Sequence, residues 1–167
     1  MSDIGANLTR IIQELRPRLK AILEESASQK PQPNKWSKKE ILGHLIDSAT
    51  NNHRRFIIAN FKDDLVFEGY KQDGWVVIQK YQHRNWDDLV DFWAQYNLHI
   101  AQVIDDIPPE IKSRTFSNHS FDQMAWQTVP KSDPSSLDYF IKDYVGHLEH
   151  HIRQILPDYG PTVIGTY

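Results

Sequence analysis

The sequence predicts an all-α fold, a four-helix bundle with long crossover connections. Four segments repeat apolar residues at the helical period. The links across 62–84 and 107–131 are too long for tight turns between neighbouring antiparallel helices. The 167 residues are 40% hydrophobic and 11% aromatic, which is enough for one packed core. A single domain over residues 1–167 is expected, with no internal repeat.

In the first segment Leu8, Ile11, Ile12, Leu15, Leu19, Ile22 and Leu23 form one apolar stripe. Pro17 lacks a backbone donor and should kink or split this helix. The second segment opens at "WSKKEILGHL". Ser37 and Glu40 have capping-box spacing, and Trp36 is placed to staple the first turn. A helix is expected from about Lys38 to about Phe61. Its stripe of Ile41, Leu42, Leu45, Ile46, Phe56 and Ile57 is interrupted by His44, Asp47, Ser48, Asn51 and Asn52.

The third helix follows "HRNWDD", with Asn85 as N-cap and Asp87 and Asp88 at the positive end of the helix dipole. Trp86, Leu89, Val90, Trp93, Tyr96, Ile100, Val103 and Ile104 face a core, and "DIPPE" ends the run. For the fourth helix Asp133 is the expected cap and Pro134 the first helical residue. It runs to Leu156, where Pro157 stops it. Of the links, "GWVVIQKYQ" predicts a short helix. "SRTFSNHSFDQMAWQT" is too aromatic for a disordered linker and should pack over the bundle or form a small hairpin. The tail "DYGPTVIGTY" shows no helical pattern.

Lys plus Arg number 19 and Asp plus Glu 22, a formal net charge of -3. That balance argues against non-specific nucleic-acid binding, which needs a basic face. There is no cysteine, so any metal must be held by imidazole and carboxylate. The first residues lack the basic start and apolar block of a signal peptide. No apolar run approaches membrane-spanning length. A soluble, cytoplasmic protein is expected.

"HLEHHIRQILP" carries the densest chemistry. His147 and His151 are four apart and share one helix face. Two imidazoles so placed converge on a divalent ion, but a third ligand must come from another element. His44, in the polar interruption of the second helix, is the leading candidate. Three neutral ligands leave coordination positions open, the layout of a catalytic centre. The plainer readings are a hydrogen-bonded core histidine for His44 and dipole-stabilised surface histidines for the pair. His150, three after His147, competes with His151. The i, i+4 pair converges better, which leaves His150 to support a ligand or face substrate. His53, His83, His99 and His119 have no partner at ligand spacing and are read as structural.

"WSKKEILGHLIDSATNNHRRF" and "GHLEHHIRQI" resemble the two histidine helices of the DinB-like superfamily. "HLIDS", the later Asn and Arg, and "EGYKQDGW" are most similar to its YfiT-type subgroup. The resemblance covers nearly the whole chain. It implies an up-down-down-up bundle, often a homodimer, with nickel or zinc at positions matching His44, His147 and His151. Members are described as metal-dependent hydrolases, and relatives transfer low-molecular-weight thiols such as bacillithiol or mycothiol.

Within that frame Asp47, Asn51 and Arg55 follow His44 by three, seven and eleven residues, near one side of the helix. Asp47 would orient His44 or act as general base. Arg55 would bind a substrate carboxylate or pair with Asp63 or Asp64. Asn51 would cap a buried backbone group or face the pocket. Tyr70 and Trp75 would wall the pocket or belong to the core. Three functions compete: a metal-dependent thiol transferase acting on a small molecule, a metal-dependent hydrolase of amides or esters with Asp47 as base, and a non-catalytic metal- or ligand-binding module.

Overall fold

The computed structural model describes residues 4–160, so most of "DYGPTVIGTY" lies outside the described residues. Helix α1 (Ile4–Lys20) leads through the short α2 (Glu24–Ser28) to α3 (Lys38–Ala59). A crossover with α4 (Gln72–Gln79) and a 3-10 turn at Tyr81–His83 reaches α5 (Trp86–Asp106). The second long link carries α6 (Pro109–Ser113), β1 (Thr115–Phe116), α7 (Phe121–Met124) and β2 (Ser135–Ser136) before α8 (Leu137–Ile155).

Two helix starts follow from local chemistry. The Ser37 hydroxyl accepts the Glu40 amide while the Glu40 carboxylate accepts the Ser37 amide, a closed capping box. Asn85 accepts the Asp88 amide at the head of α5. The first and last helices differ from expectation. Pro17 neither splits nor ends α1, which runs three residues past it. There it removes only one donor near the helix end. The chain then turns, and Leu23 leaves the buried stripe to stand 76% exposed ahead of α2. The cap of α8 is Ser136, which accepts the Tyr139 amide, and not Asp133. Residues Ser135 and Ser136 are drawn out as a strand against Phe116 and Thr115. That pairing holds them extended, so the helix starts three residues after Pro134.

Contacts between helices define the direction of each. Arg16 and Lys20 reach Asp91 at 2.7 and 2.6 Å, so the end of α1 meets the start of α5. Those two helices are antiparallel. Lys39 and the Trp86 amide both bind Glu24, and further along His53 meets Tyr96, so α3 and α5 are parallel. Phe56 meets Phe140 while His44 meets His147 and His151, so α3 and α8 are antiparallel. Arg18 bonds Asp158 just past α8, which places α8 parallel to α1. In chain order α1, α3, α5 and α8 therefore run up, down, down, up. Parallel α3 and α5 need a connection that travels the length of the bundle, which is why 60–85 is long.

The core is continuous through all four helices and holds Trp86, Trp93, Phe56 and Phe121 with less than 2% exposure. The two long links pair with each other. Leu65 donates to the Asn118 carbonyl and accepts from Ser120. Their aromatic residues Phe67 and Phe121 stack on Phe140 of α8. The segment after α5 thus packs over the bundle, as its composition predicts, and its β1–β2 pairing closes against residues beyond 131.

Candidate metal centre

His44 lies in the second turn of α3, whose side chains face α8. Gly43 beside it is required by packing. A Cβ there would come within 2.1 Å of the Tyr81 ring. His147 and His151 extend from the last turns of α8, which the antiparallel pairing brings opposite the start of α3. The Nε2 atoms of His44 and His147 face each other at 3.3 Å. The rings of His44 and His151 are 4.7 Å apart by centroid, and those of His147 and His151 are 4.6 Å apart. One nitrogen from each of the three falls within 4.8 Å of the others.

The three back nitrogens differ in how they are held. His151 Nδ1 faces Gln154 Oε1 at 3.0 Å, a contact that sets a proton on Nδ1 and leaves the Nε2 lone pair to bind an ion. Ser48 Oγ stands 3.5 Å from His147 Nδ1. His44 Nδ1 is buried without a hydrogen-bond partner among the described residues. Burial first, and His151 second, push His44 down to about 4. Burial, then His151, His44 and His150, push His147 down to about 3. Burial also lowers His151, against the raising effect of its Gln154 bond. All three are neutral near pH 7, the form that offers a lone pair.

These residues fit a divalent ion. Three nitrogens lie within 4.8 Å of one another, and the 3.3 Å between His44 and His147 is close to the roughly 3.3–3.4 Å that separates two nitrogens held on one ion at about 2.0–2.1 Å in a tetrahedral set.

A cavity of about 340 Å³ opens onto His147 and His151. Ser48, Asn52 and Arg55 line it from α3, and Asp143, Tyr144 and His150 from α8. Tyr70 and Trp126 close it from the two long links. Trp126 is placed by Asp143, whose two oxygens accept the Trp126 and Gln127 amides at 2.8 and 2.7 Å. Gly146 leaves room for that indole, since a Cβ there would stand 3.1 Å from it. The indole then lies 5.2 Å from the His150 ring.

A family model for the DinB superfamily matches residues 7–155. The chain belongs to the DinB superfamily. No curated protein sequence matches it significantly. Among solved structures it is similar to YfiT from Bacillus subtilis, with 14% identity and a TM-score of 0.71 over 94% of this chain and 86% of that one. YfiT is described as a probable metal-dependent hydrolase with an unusual four-helix bundle topology. At that identity the likeness establishes the fold, and the topology derived above agrees with it.

In this DinB-superfamily chain the three predicted ligands come together, and His150 lines the cavity. The three predicted helix-face residues divide. Arg55 lines the cavity. Asp47 is fully buried, and its Oδ1 accepts Tyr81 at 2.6 Å and Gln79 at 2.9 Å. Burial raises its carboxyl above the usual range, against those two bonds. The orienting contact to His44 is not among its hydrogen bonds, and its Oδ2 has no hydrogen-bond partner among the described residues. Asn51 donates to the Asp47 carbonyl one turn earlier in the interior of α3 at 2.9 Å, and lines an outer groove. Ser48 and Asn52 face the cavity instead. Their signal was present: four and eight residues after His44 fits the helical period as well as three and seven. Gln154, three after His151, carried a similar signal. Tyr70 walls the cavity and packs on Trp75, which lines the outer groove. His119 is structural, with Nε2 facing the Asp133 carbonyl at 2.8 Å. His53 and His99, far apart in sequence, meet across α3 and α5 with ring centroids 5.0 Å apart.

Proposed function

We propose that the protein is a metal-dependent enzyme that transfers a low-molecular-weight thiol to a small electrophile. One observation carries the choice. The cavity onto which His147 and His151 open is lined by one carboxylate, Asp143, and both its oxygens already accept backbone amides. Hydrolysis gains from a base beside the attacking water, which a divalent ion acidifies only toward neutrality. Asp47, the residue suited to that role, is turned toward Tyr81 and Gln79. A thiol has less need of such a base, because a divalent ion favours its thiolate form.

His44, His147 and His151 would hold the ion, and their imidazoles suit zinc or nickel. Gln154 fixes the His151 ring, and Ser48 stands behind His147. Trp126, Tyr70 and Tyr144 shape the cavity. His150 lines the same wall and would face the substrate. Among the described residues no helix is long and apolar enough to cross a membrane.

The test is to load the protein with zinc or nickel and supply cysteine, glutathione or bacillithiol with monochlorobimane. Conjugation faster than with free thiol, lost on chelation and in His147→Ala, is the expected result. No excess rate with any thiol overturns the reading. Hydrolysis of an amide or ester panel without thiol would instead establish the second reading, which the description of YfiT favours. Metal-dependent stability without turnover would leave a binding module.

A further inference from the structure

We infer that the substrate of this site carries a carboxylate and that Arg55 binds it. The inference rests on the three histidines being a metal centre, and it names the substrate class for that centre.

Arg55 is only 6% exposed, yet no acid pairs with it among the described residues. Asp63 is taken by Arg114 and Asp64 by Lys62. Arg55 Nη1 donates to Asn52 Oδ1 at 3.1 Å, and Nη2 donates to the backbone carbonyl of Glu68 at 2.5 Å. Both acceptors are neutral. The groups that bear on its charge besides burial are the Tyr70 hydroxyl and Arg54, and neither supplies an anion at neutral pH. A buried guanidinium keeps its proton, so the positive charge stands in the cavity wall with no ion-pair partner among the described residues; Asp143, the carboxylate lining the same cavity, is held by the Trp126 and Gln127 amides. Structural positions avoid that arrangement, because a buried charge is normally paired.

The neutral acceptors give the side chain a fixed direction. Asn52 lies one turn before Arg55, so the guanidinium leans along α3 toward His44, as helix side chains do. It lines the cavity that His147 and His151 line. Two of its five donors are engaged, and the planar fork matches a carboxylate. Eleven residues separate His44 from Arg55, about 16 Å of helix axis. The two side chains close part of that gap, so the carboxylate and the reacting group sit at opposite ends of a small molecule. Asn52 and Ser48 stand between them and offer polar contacts to its middle.

The probe is a series of mercapto acids, from mercaptoacetate to mercaptohexanoate, with their methyl esters. They are titrated into cobalt(II)-loaded protein and followed by the sulfur-to-cobalt charge-transfer band. For one of the longer acids we expect binding about tenfold tighter than its ester, the scale of one charge-assisted contact. The preference should vanish in Arg55→Met and shrink in Arg55→Lys. Equal binding of acid and ester at every length overturns the inference, and that comparison needs only the wild-type protein. A preference that survives Arg55→Met also overturns it, by showing that the acid chelates the ion. If no thiol changes the spectrum, the thiol reading fails separately. Adipate against its monomethyl ester then decides Arg55: stronger thermal stabilisation by the diacid supports the subsite, and equal stabilisation ends it.

Discussion

Two groups of histidines cross between helices in this protein, and they differ in how many nitrogens converge. Between α3 and α8, three imidazoles meet, and Gln154 faces the back of one ring. Between α3 and α5, His53 and His99 meet edge to face, but His53 Nδ1 is engaged by the Tyr96 hydroxyl at 3.0 Å. His99 is exposed. Both groups place imidazoles at similar ring separations. What separates them is a third nitrogen, since burial lowers His53 as it lowers the three clustered rings. Proximity of histidines does not by itself make a metal centre.

The largest expected effect breaks that comparison directly. His147→Ala or His44→Ala should weaken metal binding by more than the roughly 10–100-fold that loss of an orienting partner produces. His53→Ala and His99→Ala should leave metal content at the wild-type level, as measured by elemental analysis after dialysis. Equal loss from both groups would mean that the second also binds.

Next comes acid. His44 and His147 have folded values of about 4 and about 3, below the ordinary histidine value of 6.5. The unfolded chain therefore binds more protons between those values, and stability falls as pH drops through that window. The metal-free protein should lose about 1.4 kcal/mol per pH unit for each such group below pH 6.5. Chemical denaturation from pH 7 to pH 4.5 measures the slope, and His147→Ala should reduce it. A slope unaffected by His147→Ala would contradict the buried neutral imidazole.

Smaller effects sharpen the role of the supporting residues. Gln154→Ala should weaken metal binding by about 10–100-fold. Ser48→Ala should do less, because its contact at 3.5 Å is at the limit of a hydrogen bond. The reverse order, in competition with a chelator, would mean that His147 is the ring more in need of support. Gly43 tests the scaffold beside His44, which has no counterpart beside His53. Gly43→Ala should cost about 1–3 kcal/mol by overpacking Tyr81, offsetting its helix-propensity gain of about 1 kcal/mol. A more stable variant in thermal denaturation would show that Tyr81 moves freely.

Much of this was legible in the chain. The capping box at Ser37 and the Asn85 cap depend on groups three residues apart, so local spacing determines them. The pairing of His147 with His151 likewise follows from one helical turn. The cap of α8 was not legible, because a strand contact with Thr115 and Phe116, some twenty residues earlier, holds Ser136 extended. The division of α3 was not legible either. From the direction of His44, Asp47 lies about 60° to one side and Ser48 about 40° to the other, both within reach of a shared face. The helical period alone does not choose between them.

The sequence by itself determined the four helices, most of their ends, and the histidines able to share an ion, because those depend on spacing within a turn. Tertiary structure decided what surrounds them. The Tyr81 ring and Gln79 drew Asp47 away from the cavity, and α8 drew Ser48, Asn52 and Arg55 toward it. The reason is that a helix offers its whole circumference. Which side becomes the core, and which becomes the site, depends on the elements packed against it.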